Sequence, residues 1–523
     1  MQKLKIDNID LEVPDDTTVM EAAKLAGVDI PSMCYKKGYS NHPSCMICLV
    51  KDNFTNKLFP SCAVKASEGM HIITMDDEIH EARKDALELL MSDHVGDCEA
   101  PCRVACPAFM DIPNMNRLIV EGKYGEALKV VKEEIAFPLI LGYICPAPCE
   151  KVCRRAPIDE AVSICQLKKY VAAQDLKSDQ PWSPPKTKPS GKKVAIIGAG
   201  PAGLACAFHL TKNGHQCVVF DKEEKAGGSL LQIPTDKLPS EVLDSEIDFI
   251  KSYGVDFELG IHIDRELFDK ELSDQYNAIV LALGDIENNE LKILGLNIHE
   301  SEPIADSQTF ETKVSGVFAC GSVLRKQKMA VKALAQGKAA ARSVNQYLLG
   351  VKPQVAAKKF NSKFGKLKPE ELQEYMKESS EYGRLTPAHG LLDGFFPEEA
   401  INEAKRCMHC DCRKPMSCKL RQYSDEYQIN RRTYLGEERK SIKKEFNHNL
   451  IVYEQEKCIR CGLCVDIVKA EKELVGLSFV GRGFDVRIDI PFNDTLDKAF
   501  EKAALLCAES CPTGAISKKY ESR

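Results

Sequence analysis

The sequence predicts a multidomain chain, part α/β and part α+β, with a doubly wound central domain between two cysteine-rich regions. Three observations predict it. The chain has 523 residues, enough for three or four separate cores. It holds 23 cysteines, yet between Cys165 and Cys407 only Cys206, Cys217 and Cys320 occur. A buried-strand pattern also runs straight into a glycine-rich turn after a proline-rich stretch, Ser178 to Lys192.

Bulk properties exclude several classes. A net charge of -6 and 7% aromatic residues supply no basic, stacking surface for nucleic acid. No run approaches the roughly 18 to 20 apolar residues of a membrane span, and Met1 to Asp7 lacks the apolar core of a signal peptide. The expected location is the cytoplasm, where reducing conditions leave thiolates free for metal binding or catalysis rather than disulfides.

The elements follow in order. Leu4 to Val13 alternates around Asp7-Asn8 as a short antiparallel hairpin. Thr18 to Ala26 reads as a helix stopped by Gly27, and 79–92 as a second helix. Met115 to Ile164 is mainly helical, broken by Pro and Cys. Residues 193–350 alternate strands with helices, the pattern of a parallel sheet covered on both faces. A charged stretch, 355–405, is expected to be helical before the cysteines return.

Lys193 to Ile197 leads into Gly198-Ala199-Gly200-Pro201-Ala202-Gly203 and then a helical run. In such a fingerprint Gly198 permits the tight turn, Gly200 lets the backbone approach a pyrophosphate, and Gly203 allows close helix–strand packing. The strand Cys217 to Phe220 ends at Asp221, placed to hold a ribose. The combination reads as a Rossmann-like dinucleotide site rather than a merely structural tight turn.

Pro201-Ala202, the segment Lys222 to Gly228, Gly254-Val255, Leu281 to Gly284 and Gly316 to Gly321 resemble the FAD site of the glutamate synthase small subunit family. The resemblance implies FAD held by Gly198, Gly200, Pro201, Ala202, Gly203, Asp221, Lys222, Gly228, Gly284, Gly321 and Ser322. Ser322 stands where that family has an acidic residue at the ribityl chain. Relatives insert an NADPH domain where this chain has only 285–315, too short for a βαβ unit of roughly 30 or more residues plus a fingerprint. Reducing equivalents are thus expected from clusters or another subunit.

Cys34, Cys45, Cys48 and Cys62 are spaced Cx10CxxCx13C. They resemble the 2Fe-2S domain of the large iron–sulfur subunit of respiratory complex I and of iron-only hydrogenases, with zinc as the alternative. His94, Cys98, Cys102 and Cys106-Pro107, with Cys145, Cys149 and Cys153, resemble partly that subunit and partly the two-cluster domain of glutamate synthase and dihydropyrimidine dehydrogenase. The resemblance implies one 4Fe-4S cluster on His94, Cys98, Cys102 and Cys153, and another on Cys106, Cys145 and Cys149. The fourth ligand of the latter is open between Glu160, Cys165 and Gln166, because the aligned place holds Lys168. Cys458, Cys461 and Cys464 form CxxCxxC, with Val468 where a bacterial ferredoxin run has its fourth cysteine. Cys511 completes the set in the complex I pattern, with Cys507 as a spare. Cys407, Cys410, Cys412 and Cys418 form a further group for iron–sulfur, zinc or redox-active thiols. Cys206, Cys217 and Cys320 read as small buried hydrophobes.

The expected organisation is a ubiquitin-like 2Fe-2S ferredoxin domain (1–78), a helical two-cluster domain (79–177), a linker (178–192), an FAD domain (193–352), a helical connector with the Cys407–Cys418 site (353–440) and a ferredoxin-like 4Fe-4S domain (441–523). The two end modules are expected to meet in space. The resemblances imply an electron-transfer subunit with FAD, one 2Fe-2S and three to four 4Fe-4S clusters. Its partner would be a flavin NADH dehydrogenase, formate dehydrogenase or hydrogenase subunit, or ferredoxin. A self-contained NAD(P)H oxidoreductase and a scaffold with a vestigial flavin site are the other readings.

Overall fold

In the computed structural model the opening alternation pairs as Gln2–Ile6 against Ile9–Val13, antiparallel, with Asp7 at φ 49° in the turn. The structure describes residues 1–178, 180–285, 304–326 and 328–519. Of the short 285–315 segment, 286–303 lie outside the described residues, as do the last four residues of the 441–523 region. Leu4 and Ile6 point inward while Lys3 and Lys5 do not, as the period of two requires. The sheet runs Ile9–Val13, Gln2–Ile6, His71–Ile73, Leu49–Asp52, Leu58–Pro60. Helix Val19–Leu25 covers it. Thr18 and Glu21 form a reciprocal capping box at its start, satisfying donors the first turn leaves free.

Two compact units divide the chain. The first comprises 1–100, 358–379 and 408–523; the second comprises 101–357 and 380–407. The end regions therefore fold together in the first unit. There, helix Asp77–Ser92 is capped by Asp76. Its Leu87 and Met91 share one core with Met33, Ile47, Leu420, Tyr427, Ile429 and Leu463. A three-stranded sheet, Lys444–Glu445, Ile451–Glu454 and Ile516–Lys518, packs with helices Leu463–Ala470 and Ala504–Ser510.

In the second unit the parallel sheet runs Val317–Ala319, Ala278–Leu281, Lys193–Ile197, Gln216–Asp221, Val255–Leu259. Val194 to Ile197 are all buried, as a strand covered on both faces demands. Helices Pro201–Lys212 and Ala330–Leu348 pack on one another beside it. Their core is continuous with that of the short helices Ile112–Val120, Tyr124–Lys132, Pro138–Ile144 and Ile164–Leu176.

Two local expectations change. The 178–192 linker has no regular structure but is pinned. Lys132 donates to the Trp182 carbonyl at 2.7 Å, Tyr253 to that of Pro184 at 3.0 Å, and the Thr187 amide to Lys212 at 2.9 Å. The charged 355–405 stretch is helical only over Pro369–Met376 and Pro397–Ala404. Arginine side chains satisfy its irregular carbonyls instead: Arg155 reaches Ser380 and Tyr382, and Arg406 reaches Tyr382.

Candidate functional site

The glycine turn sits at the C-terminal end of strand Lys193–Ile197, the edge where open parallel sheets take ligands. Gly198 has φ 112°, and a Cβ there would strike the Ala282 carbonyl. A Cβ on Gly203 would strike the Gly198 carbonyl, so helix Pro201–Lys212 can start only with glycine at that place. In front of Gly200 the space is open, a Cβ meeting nothing nearer than the Gly228 Cα at 3.9 Å. The helix start with Pro201 at its first position faces that space, and its free amides suit an anion. Asp221 closes the turn, accepting from the Ala199 amide at 2.7 Å and the Glu223 amide at 3.0 Å.

Other predicted residues surround this cradle. Lys222 is exposed, Ser322 is half-buried, and Gly284 at φ 82° faces open space. A Cβ on Gly321 would stand 2.8 Å from that of Ala202, and the Gly321 amide donates to Gln336 at 3.0 Å. Cys206, Cys217 and Cys320 are buried in the domain core. A hydrogen bond with Cys320, then burial, pushes the Cys206 thiol up.

In the same unit Cys106, Cys145, Cys149 and Cys165 line one small cavity, with Pro107, Met110, Ile112 and Val331 as its apolar wall. Cys165 is thus the one of the three open fourth-ligand candidates that lines this cavity. Glu160 is exposed, and Gln166, with a buried carbonyl oxygen lacking a partner, is not on the wall. Cys165 and Lys168 stand three apart on helix Ile164–Leu176, hence on one face. Burial opposes charge on Lys168, yet the four thiols outweigh it and raise its pKa. The Cys145 thiol is pushed up, first by its hydrogen bond with Cys165 and then by burial. Cys102 and Cys153 are half-buried against the same unit's core, where helix Pro101–Ala105 packs on Pro148–Lys151. Cys407 follows helix Pro397–Ala404 in this unit, its amide donating to Ala404 at 3.0 Å.

Three thiol groups occur in the first unit. Cys34, Cys45, Cys48 and Cys62 are each at most 2% exposed, with the Cys34 and Cys45 sulfurs 3.3 Å apart. Hydrogen bonding with Cys45, then with Cys62, holds the Cys34 thiol well below its usual range. Cys458, Cys461, Cys464 and Cys511 line a second small cavity, walled by Tyr453, Ile488 and Ile516. The Arg460 amide donates to the Cys458 sulfur at 3.3 Å and the Ile516 amide to that of Cys511 at 3.5 Å. Cys507 is not on this wall; its thiol donates to the Cys464 carbonyl at 3.8 Å within the core. The third group joins Cys98 to Cys412 and Cys418. The Cys412 amide donates to the Cys98 carbonyl at 3.3 Å, and the Ser362 amide to the Cys98 sulfur at 3.4 Å. Cys410 packs with Val95, Tyr375, Met408 and Ile442. His94 is 7% exposed and belongs, with Cys98, to this unit rather than the one holding Cys102 and Cys153.

These donor sets fit iron–sulfur groups. Among the described residues no three His, Cys, Asp or Glu side chains close on a point as around a single ion. At the two cavities four thiols stand around a space instead, and backbone N–H groups aim at the Cys458 and Cys511 sulfurs.

Comparison with known proteins bears on the same segments. Residues 1–77 match the family model described as 2Fe-2S iron-sulfur cluster binding domain. Residues 77–180 match dihydropyrimidine dehydrogenase domain II, 4Fe-4S cluster, and 196–260 match NAD(P)-binding Rossmann-like domain. The chain is 35% identical over 218 residues to NADP(+)-dependent formate dehydrogenase subunit beta of Moorella thermoacetica, covering 38% of this chain and 31% of that protein. It is 37% identical over 201 residues to NADPH-Fe(3+) oxidoreductase subunit beta of Geobacter sulfurreducens, covering 38% and 30%. It is 34% identical over 230 residues to glutamate synthase [NADPH] small chain of Bacillus subtilis, covering 42% and 46%. The chain spans less than half the length of each of these relatives. In order along the chain, it thus matches 2Fe-2S, 4Fe-4S and Rossmann-like family models.

Proposed function

We propose that this chain is an iron–sulfur flavoprotein subunit that passes electrons between FAD, one 2Fe-2S cluster and several 4Fe-4S clusters. The observation that carries the proposal is the pair of cavities, each lined by four cysteines, in a chain that also holds the glycine cradle. The clusters when bound supply one-electron carriers, and the flavin supplies exchange between paired and single electrons. The chain's own residues hold and insulate them. Cys34, Cys45, Cys48 and Cys62 hold the 2Fe-2S group. Cys106, Cys145, Cys149 and Cys165 hold one 4Fe-4S group, and Cys458, Cys461, Cys464 and Cys511 another. Gly198, Gly200 and the start of helix Pro201–Lys212 receive the dinucleotide phosphates, with Lys222, Gly228, Gly284 and Ser322 around them.

Cys34, Cys45, Cys418 and Cys461 share one apolar core with Leu87, Met91 and Leu463. That core excludes water between the thiol groups of the first unit. Electrons exchanged there meet little solvent reorganisation. The substrate site belongs to a partner subunit of formate dehydrogenase, hydrogenase or NADH dehydrogenase type, or electrons pass to ferredoxin. Among the described residues no helix is long and apolar enough to cross a membrane.

The test is anaerobic purification with iron, sulfide and flavin counts, followed by stopped-flow reduction. The proposal expects FAD and cluster signals, reduction by dithionite, and no fast bleaching by NADH or NADPH. Absence of flavin and iron from anaerobically prepared protein overturns it. The match of 196–260 to an NAD(P)-binding model favours a second reading, a self-contained NAD(P)H oxidoreductase. Rapid bleaching by NADPH alone would establish that reading instead.

A further inference from the structure

We infer that Cys98, Cys412 and Cys418, with His94 in the fourth position, form a separate 4Fe-4S site within the first unit. The inference rests on the reading that this chain assembles clusters, and it redistributes ligands that the family resemblance and the spacing place in two other groups.

Several observations converge on it. All four residues belong to the unit made of 1–100, 358–379 and 408–523. The two strands of chain that bring them are joined directly, since the Cys412 amide donates to the Cys98 carbonyl at 3.3 Å. Cys98, Cys412 and Cys418 are 7%, 5% and 5% exposed, so three thiols meet in an interior that favours none of them as an isolated anion. Cys418 lies within electrostatic reach of both Cys412 and Cys98. An iron–sulfur core is a cationic group that binds such a buried set of sulfurs.

The surroundings are shaped for it. The Cys98 sulfur accepts from the Ser362 amide at 3.4 Å, the kind of N–H···S bond that also marks Cys458 and Cys511. Gly514 leaves the space that the Cys412 sulfur occupies, for a Cβ there would collide with it. His94, four residues before Cys98, is buried with its Nδ1 unpartnered. An orphaned imidazole nitrogen in the interior costs free energy, and coordination to iron satisfies the ring. Cys410 packs among Val95, Tyr375, Met408 and Ile442, and is the competing fourth ligand.

The site unites residues from before and after the long intervening unit. The chain first leaves this unit after Ala100, close behind Cys98, returns for 358–379, and enters it for the last time at Met408, just ahead of Cys412. Ligation would therefore fasten the two crossings together. Neither half of the sequence can assemble it alone.

The full-length chain, prepared anaerobically and enriched in 57Fe, tests this by EPR and Mössbauer spectroscopy. C98S, C412S and C418S should each abolish the same 4Fe-4S signal and lower the count by about four irons and about four sulfides per chain. C102S and C153S should leave that signal unchanged. H94C should keep the iron count, alter the g values and shift the midpoint potential downward, because a thiolate adds negative charge to the ligand shell. The visible spectrum of the Cys34 group reports whether each variant remains folded. The inference is overturned if C98S and C412S remove different signals, if C98S removes the signal that C102S removes, or if H94C is silent while C410S abolishes the signal. Signals that track Cys106 and Cys458 without one that tracks Cys98, Cys412 and Cys418 would sink this site alone. Absence of every cluster would sink the proposed function as well.

Discussion

Lys168 occupies a wall of the cavity lined by Cys106, Cys145, Cys149 and Cys165, and it is 4% exposed. A fixed cation beside a cluster favours its reduced state, since the added electron gains a Coulombic attraction that water does not screen away. Lys168→Met is expected to lower the midpoint potential of that cluster by roughly 60 mV, the one-electron equivalent of about 1.4 kcal/mol. An EPR-monitored redox titration checks it, and an unchanged potential would remove Lys168 from any tuning role. Spacing could not choose Cys165 over Glu160 and Gln166, because the choice depends on which face of helix Ile164–Leu176 fronts the cavity. For the CxxCxxC group the resemblance already favours Cys511 with Cys507 as a spare, and at the end of helix Ala504–Ser510 Cys511 lines the pocket while Cys507 packs inward.

A second prediction at this scale concerns Asp159. Hydrogen bonding to Arg155, aided by Arg406, holds its carboxyl well below the usual carboxylate range. With the folded value depressed, the unfolded chain binds the proton more readily, so the stabilisation is complete above the unfolded pKa near 4 and fades as pH falls below it. Asp159→Asn should flatten the acid side of the stability profile. Urea midpoints between pH 3 and 6 decide the matter, and parallel wild-type and variant curves would refute it.

At the scale of elements, helix Pro397–Ala404 is tied to the loop after helix Pro148–Lys151 by charge. Arg406 and Glu403, both fully buried, pair at 2.9 Å; Arg406 also reaches Asp159 at 2.9 Å, and Glu403 accepts from the amides of Ser163 and Leu385. Arg406→Met strands a buried carboxylate and is expected to cost about 3–5 kcal/mol. Chemical denaturation followed by far-UV circular dichroism measures it, and a loss below about 1 kcal/mol would contradict the burial argument. Thr18→Ala, which breaks the capping box, should cost only about 1 kcal/mol. Regular elements with local signals were legible: the hairpin around Asp7, the capped helix after Thr18, and the strand, turn and helix from Lys193 to Lys212. The 355–405 stretch was not. Its charges suggested a helix, whereas its prolines, together with carbonyls claimed by distant arginines, hold it irregular.

For the whole molecule, composition revealed cysteine-rich ends around a nucleotide domain but not that 358–379 would return to the first unit. Ser362 belongs there because its amide serves Cys98. Such pairings connect positions with no shared periodicity. The common core of Cys34, Cys45, Leu87, Leu463 and Cys461 carries a further prediction. Deleting 441–523 should weaken the 2Fe-2S group as well as remove the Cys458 group, since it strips one wall from that core. A truncated chain whose 2Fe-2S absorbance survives heating as well as the intact protein would show the modules to be independent.

The interrupted first unit also has a history on the ribosome. Residues 101–407 are made between its two major parts, a delay on the order of 15 to 60 s at about 5–20 residues per second. During that interval the early segment, with Cys34, Cys45 and Met33, has no Leu420, Tyr427 or Leu463 to cover it. Nascent thiols of that early segment would stand open to oxidants and stray metals until the later residues emerge.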